Sequence, residues 1–170
     1  MSTELQQEIS KDAPIRSALK ASTEIAHAAA EEHLLGGRKS FDTRPQYDRF
    51  LCVALQAHAA FGVAAATATG QDWLEREEDQ RPSAARKLTA AEGWGAGYVL
   101  HGSAMGASLM LKTGYLNSAW PCSYLNHMRR FAQSGCLRRF FNLLVTECRD
   151  LDGALHGARL AFEGFLEPAT

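Results

Sequence analysis

Apolar and small residues recur at helical spacing along almost the whole chain. Ile15, Leu19, Ser22, Ala26 and Ala29/Ala30 form one stripe. Asp12 can cap that helix, Pro14 falls in its first turn, and Gly36–Gly37 ends it. A second helix opens near Thr43 with Pro45 in its first turn, and Tyr47, Phe50, Leu51, Ala54, Leu55, His58 and Phe61 share one broad face. Its end falls somewhere over residues 66–70. The charged stretch QDWLEREEDQRPS reads as an exposed loop or a short surface helix. Thr89 and Glu92 have the spacing of a capping box and open a third helix that runs to about Lys112. Thr113–Gly114 and LNSAWP break the pattern, and Pro121 opens a fourth helix ending near Ser134–Gly135. Leu137–Arg149 and Leu151–Leu166 read as the last two. No alternation of useful strand length occurs and no repeat is present. The pattern predicts an all-α, single-domain bundle of six or seven helices over residues 12–170, preceded by a flexible polar tail over 1–11.

Composition adds boundaries. The 170 residues suffice for one domain with a real core. A formal net charge of −1 gives no sign of a nucleic-acid or membrane partner drawn by bulk charge. The polar N-terminus MSTELQQEISKDAP resembles no secretory signal, and the longest apolar run, around Ala96–Leu111, is broken by His101 and small residues. Cys52, Cys122, Cys136 and Cys148 form no CxxC, so reduced thiols and a cytoplasmic location are expected.

The third helix carries an anomaly. Gly93, Gly95, Gly97, Gly102 and Gly106 lie within it, and each glycine in a helix interior costs roughly 1 kcal/mol against alanine. Gly95, Val99, Gly102 and Gly106 fall on one face, a strip where the backbone itself is the surface. Two readings stand: close packing of a neighbouring helix, or a flat ligand lying on bare main chain. A porphyrin is the flat ligand that would profit most, and it would need an axial ligand opposite, usually histidine. Among six histidines His27 stands out, set mid-helix among alanines that leave room for a broad plane. Glu31, one turn on, can accept a hydrogen bond from the ring nitrogen that does not ligate.

Three stretches then carry a resemblance. LKASTEIAHAAAEEH (19–33) is similar to the first-helix motif of haem oxygenases, L-K-x-x-T-x-x-x-H-x-x-x-E. YDRFLCVALQAHAAF (47–61) resembles the second-helix pattern of the bacterial members, and GYVLHGSAMGA (97–107) their distal-helix pattern Y-V-x-x-G-S-x-x-G. Order and spacing agree, and the match spans roughly residues 15–165, loosely after Lys112. The resemblance implies a helical bundle with haem sandwiched between the first helix and the distal one. It implies oxidative cleavage of haem, which is both substrate and cofactor, to biliverdin, CO and ferrous iron. O2 and electrons from an external donor such as ferredoxin or a flavin reductase are consumed, and a bilin-binding photoreceptor is one conceivable acceptor of the product. Carried over by position, His27 is the proximal iron ligand, Glu31 its partner, Lys20 a propionate-binding base, and Gly102 and Gly106 the distal glycines with Ser103 beside them.

Departures temper this. Animal members have an aspartate where this chain has Ser103, so proton delivery needs ordered water, backbone or another side chain. His101 stands where bacterial relatives commonly have an acid. It lies about 100° around the helix from Gly102, which fits a surface or interhelical contact better than a second, switchable iron ligand. Arg138 and Arg139, before Phe140–Phe141, are favoured over Arg129 and Arg130 as further propionate-binding groups, against a solvated basic face that could also dock an acidic electron donor. His58 matches a family position and reads as packing. Two other functions stay open: a haem-binding or haem-sensing protein without turnover, and a haem-free relative.

Overall fold

The computed structural model describes residues 3–38, 40–70, 86–114, 116–117 and 119–167, with the backbone alone over 3–13. The charged stretch from Gln71 to Ser83, read as loop or surface helix, lies outside these residues. The described residues are all-α and form six helices: α1 (Thr3–Leu35), α2 (Arg44–Thr69), α3 (Ala90–Lys112), α4 (Ser123–Gln133), α5 (Cys136–Glu147) and α6 (Leu151–Gly164).

Helix starts and stops follow local chemistry. α1 ends where Gly36 and Gly37 turn to φ of 57° and 67°, a conformation that favours glycine. Thr89 Oγ1 accepts from the Glu92 N–H, and Glu92 Oε2 accepts from the Thr89 N–H at 2.8 Å, closing the capping box of α3. Asp150 caps α6 by accepting from the Gly153 N–H at 2.9 Å. α1 differs from the expectation: it is helical from Thr3 onward, so the segment read as a flexible tail continues the helix and Pro14 lies inside it. Leu, Gln and Glu before Pro14 are good helix formers, and a proline removes one ladder bond without ending the helix there.

α3 is the central rod, packed on α6, α2 and α4, while α1 rests mainly on α6. Leu19, Tyr47, Phe61, Leu100, Leu125 and Leu144 are fully buried between these elements. α2 is long and apolar enough to cross a membrane by length and composition, and half of that stretch is buried inside the bundle. The break after α3 is pinned from α2: Tyr47 Oη donates to the Pro121 carbonyl at 3.0 Å, and its ring stacks on Trp120 at 5.7 Å.

Two small-residue contacts set how closely α3 meets α6. A Cβ on Gly95 would collide with the Ala154 carbonyl, and one on Gly157 with the Glu92 main chain. Only glycine lets these backbones approach, so α6 is drawn against the first half of α3. α1 rests mainly on α6, and a cleft lined by α1 and by α3 from Tyr98 onward opens between them.

Candidate functional site

The cleft has a volume of about 790 Å³, in the range of small-molecule and cofactor sites. α1 forms one wall with Arg16, Lys20, His27, Glu31, Leu34 and Leu35, and α3 the other with Tyr98, Val99, Gly102, Ser103, Gly106 and Met110. Phe50, Tyr124, Phe141, Phe162 and Phe165 complete an apolar lining.

The structure divides the glycines of α3. Gly93 and Gly95 meet neighbouring helices, and a Cβ on Gly93 would lie 2.7 Å from Ala68 Cβ. Gly102 and Gly106 meet nothing: a Cβ at either would have no other atom within 4 Å. Close helix packing therefore accounts for the first half of the strip and not for the second. The wall at 102 and 106 is main chain facing an open cleft.

On the opposite wall, the His27 ring packs edge-on to Phe162 at 5.8 Å. Its Nδ1 lies 3.7 Å from Glu31 Oε2, longer than a hydrogen bond. The side chain is 58% exposed, because the cleft in front of it is open. Among the described residues no group of three or more His, Cys, Asp or Glu lies together in a metal-holding arrangement.

Beside the glycines the floor of the cleft is polar at one point. Ser103 Oγ donates to the Leu100 carbonyl at 2.7 Å and lies 2.8 Å from His58 Nε2. The serine proton is committed, so His58 Nε2–H donates to Ser103 Oγ, which fixes the imidazole tautomer. Burial, reinforced by His101 and His127, pushes the His58 pKa down to about 4, so the ring is neutral at pH 7. Ser103 Oγ keeps a lone pair for a water in the cleft. His58, read from sequence as packing against its neighbours, thus also orients a polar group of the site, a role that depends on a contact across 45 residues and has no local signature.

His101 points the other way. Its ring is fully buried, stacks on Phe140 at 3.9 Å between ring centroids, and Nδ1 donates to the Gly97 carbonyl at 2.7 Å. Burial lowers its pKa to about 4. It is an interhelical contact on the far side of α3, and the switchable-ligand reading of His101 finds no geometry here.

Arg138 and Arg139 are also placed elsewhere. Both are exposed on the first turn of α5 and line a separate surface recess with Ser134, Gly135, Asn142 and Leu143. The reason is helical phase: Phe140 and Leu144 are the buried face of α5, so 138 and 139 face outward. From that basic–aromatic segment the cleft receives Phe141 only. The cations that do line the cleft are Arg16 and Lys20. Arg16 was legible in principle, since it stands four residues before Lys20 and eleven before His27, on one helix face.

Compared with known proteins, the chain matches no family model, no curated protein and no solved structure.

Proposed function

We propose that the protein is a haem oxygenase that opens haem oxidatively to biliverdin with release of CO and ferrous iron, using O2 and electrons from an external donor. The observation that carries this reading is the pairing across one cleft of the His27 imidazole with bare main chain at Gly102 and Gly106. A narrow planar ligand is what such opposed walls accept, and the residues present fit haem. His27 would hold the iron through Nε2, with Glu31 near Nδ1 to orient the ring.

Bound haem would supply both the oxygen-activating metal and the carbon skeleton that is oxidised. The chain's own part is positional. With no side chain at 102 and 106, α3 leaves space above the plane while its backbone limits how a small molecule can lie there. Phe50, Val99, Phe162 and Phe165 line the cleft and would shield a bound plane from bulk water. Ser103 Oγ, held by His58, can anchor a water at the glycine wall and so a path for protons.

Haemin titration tests the proposal. A Soret band should appear, and His27→Ala should shift or weaken it. Ascorbate, or ferredoxin with its reductase, should then bleach the band and raise broad absorption in the red. A band that persists under reductant would identify haem binding without turnover, and the absence of any band would remove haem altogether.

A further inference from the structure

Among the described residues two neighbours meet the His27 ring, and they differ in grip. Glu31 approaches from the next turn of α1, but its carboxylate is 63% exposed and stands 3.7 Å from Nδ1, outside hydrogen-bond range. Phe162 approaches from α6 and is 7% exposed, with its ring 79° from the imidazole plane and 5.8 Å between centroids. A histidine ring turns about a broad, two-fold torsion unless something holds it. A solvated carboxylate beyond bonding distance holds it weakly. An edge-to-face aromatic partner locked in a core favours one setting by roughly two- to tenfold.

Phe162 is itself held. It packs in the core on the helix whose Ala154 carbonyl and Gly157 meet the α3 backbone. Main chain against main chain leaves that seam little freedom to slide. The same helix end carries Phe165, which meets the His58 ring edge-on at 6.1 Å, and His58 in turn bonds Ser103 on α3. The end of α6 thus reaches a group on each wall of the cleft: His27 on α1 through Phe162, and the polar point beside Gly102 through Phe165 and His58.

We infer that Phe162 is a positioning residue, packed edge-to-face on His27 so that it sets the plane of the imidazole and, through the seam of α3 with α6, ties that plane to the glycine wall. This rests on the reading of His27 as the axial ligand of a bound haem. An imidazole held in one plane offers its π electrons to a metal in one direction across the macrocycle, whereas a turning ring averages over directions. Phe162 acts through His27 and needs no contact with the reacting atoms.

The test uses the full chain and reads ring orientation, not turnover. In the ligand-free protein, proton NMR should show cross-relaxation between the His27 and Phe162 rings, and its absence overturns the inference whatever any variant does. Phe162→Leu, which keeps apolar bulk and loses the ring, should move the His27 ring-proton shifts toward those of a free imidazole. Phe162→Tyr should hold them near wild type, and Phe165→Leu, at the same helix end but on His58, should leave them unmoved. With haemin and cyanide added, the paramagnetically shifted haem methyl resonances report the imidazole plane. Phe162→Leu should change their order or spread, and Phe162→Tyr should keep the wild-type pattern. Haemin affinity in both should stay within about threefold, because His27 still ligates. Methyl and ring-proton shifts unchanged in Phe162→Leu overturn the inference while the Soret band keeps the haem reading. An unchanged Soret position in His27→Ala overturns the ligand assignment and the positioning role with it, and the ring contact seen without ligand then stands as packing alone. If haemin does not bind, both fall.

Discussion

Along α3, two glycine pairs do opposite things. Gly93 and Gly95 are closed in by α2 and α6, and the space where a side chain would grow is filled by other backbone and by Ala68. Gly102 and Gly106, two to three turns further on, face an empty cleft. In the first pair the missing side chain stabilises the fold, because it permits contact. In the second pair it stabilises nothing within the protein, and the helix bears the entropic cost of glycine without return. Residues that lower stability without a packing reason mark the places where a ligand's needs outweigh the fold's.

The largest test of this contrast is Gly95→Ala. The new Cβ would meet the Ala154 carbonyl, main chain that cannot rotate away, so α6 must shift. Overpacking of this kind costs roughly 1–3 kcal/mol, and more where backbone is the obstacle. Urea unfolding should show a midpoint lowered accordingly. An unchanged midpoint would mean that α3 and α6 are not in backbone contact.

The second test is acid. His101 lies on the packed side of α3, whereas His58 reaches the open side through Ser103. Both titrate near 4 in the folded protein against 6.5 when free. Between those values the unfolded chain holds more protons, so stability is full above pH 6.5 and falls as the pH drops toward 4. Each histidine contributes a slope of about 1.4 kcal/mol per pH unit over that window, up to roughly 3 kcal/mol. Thermal unfolding from pH 7.5 to 4 should show this decline, and glutamine at either position should remove about half the slope. A flat profile would refute the burial of both rings. Ligand in the cleft should move the His58 ring resonances, through Ser103.

The contrast also explains what could be read from the sequence and what could not. Lys20, His27 and Glu31 share one face of one helix, and Gly102 and Gly106 share one face of another, so periodicity alone groups them. The all-α character and most helix ends followed from local signals such as Thr89–Glu92 and Gly36–Gly37. The split of the glycine strip at Val99 was invisible, because Gly95 and Gly102 differ only in what α6 and α1 place opposite them. Arg138 and Arg139 lie outside the cleft for the same reason. Their segment does reach the cleft, and which side of α5 faces it is decided by the burial of Phe140 and Leu144. The His58–Ser103 bond joins two helices whose rotation no short motif records.

A third expectation reverses the sign of the first. Gly102→Ala adds a Cβ that meets nothing, so the helix should gain up to about 1 kcal/mol, read as a small rise in the unfolding midpoint. Haem turnover should fall in the same variant, and Gly102→Leu, whose side chain would extend into the cleft, should abolish it while the protein stays folded. Gain of stability with loss of activity at 102, against loss of stability at 95, separates a ligand-facing wall from a packing seam. A Gly102→Leu variant with wild-type turnover would show that the open wall serves no bound plane.

The smallest effect belongs to the cations that sequence reading favoured. Arg138→Ala and Arg139→Ala remove exposed charges from a recess that shares no lining residue with the cleft. Neither should change haemin affinity by more than about twofold, and neither should move the unfolding midpoint by more than the roughly 0.5 kcal/mol usual for surface positions. If these guanidiniums instead dock the electron donor, the double variant should slow turnover with a protein reductant and leave turnover with ascorbate unchanged, with the difference fading as salt screens the charges. Weakened haemin binding in the double variant would place the ligand's carboxylates on α5.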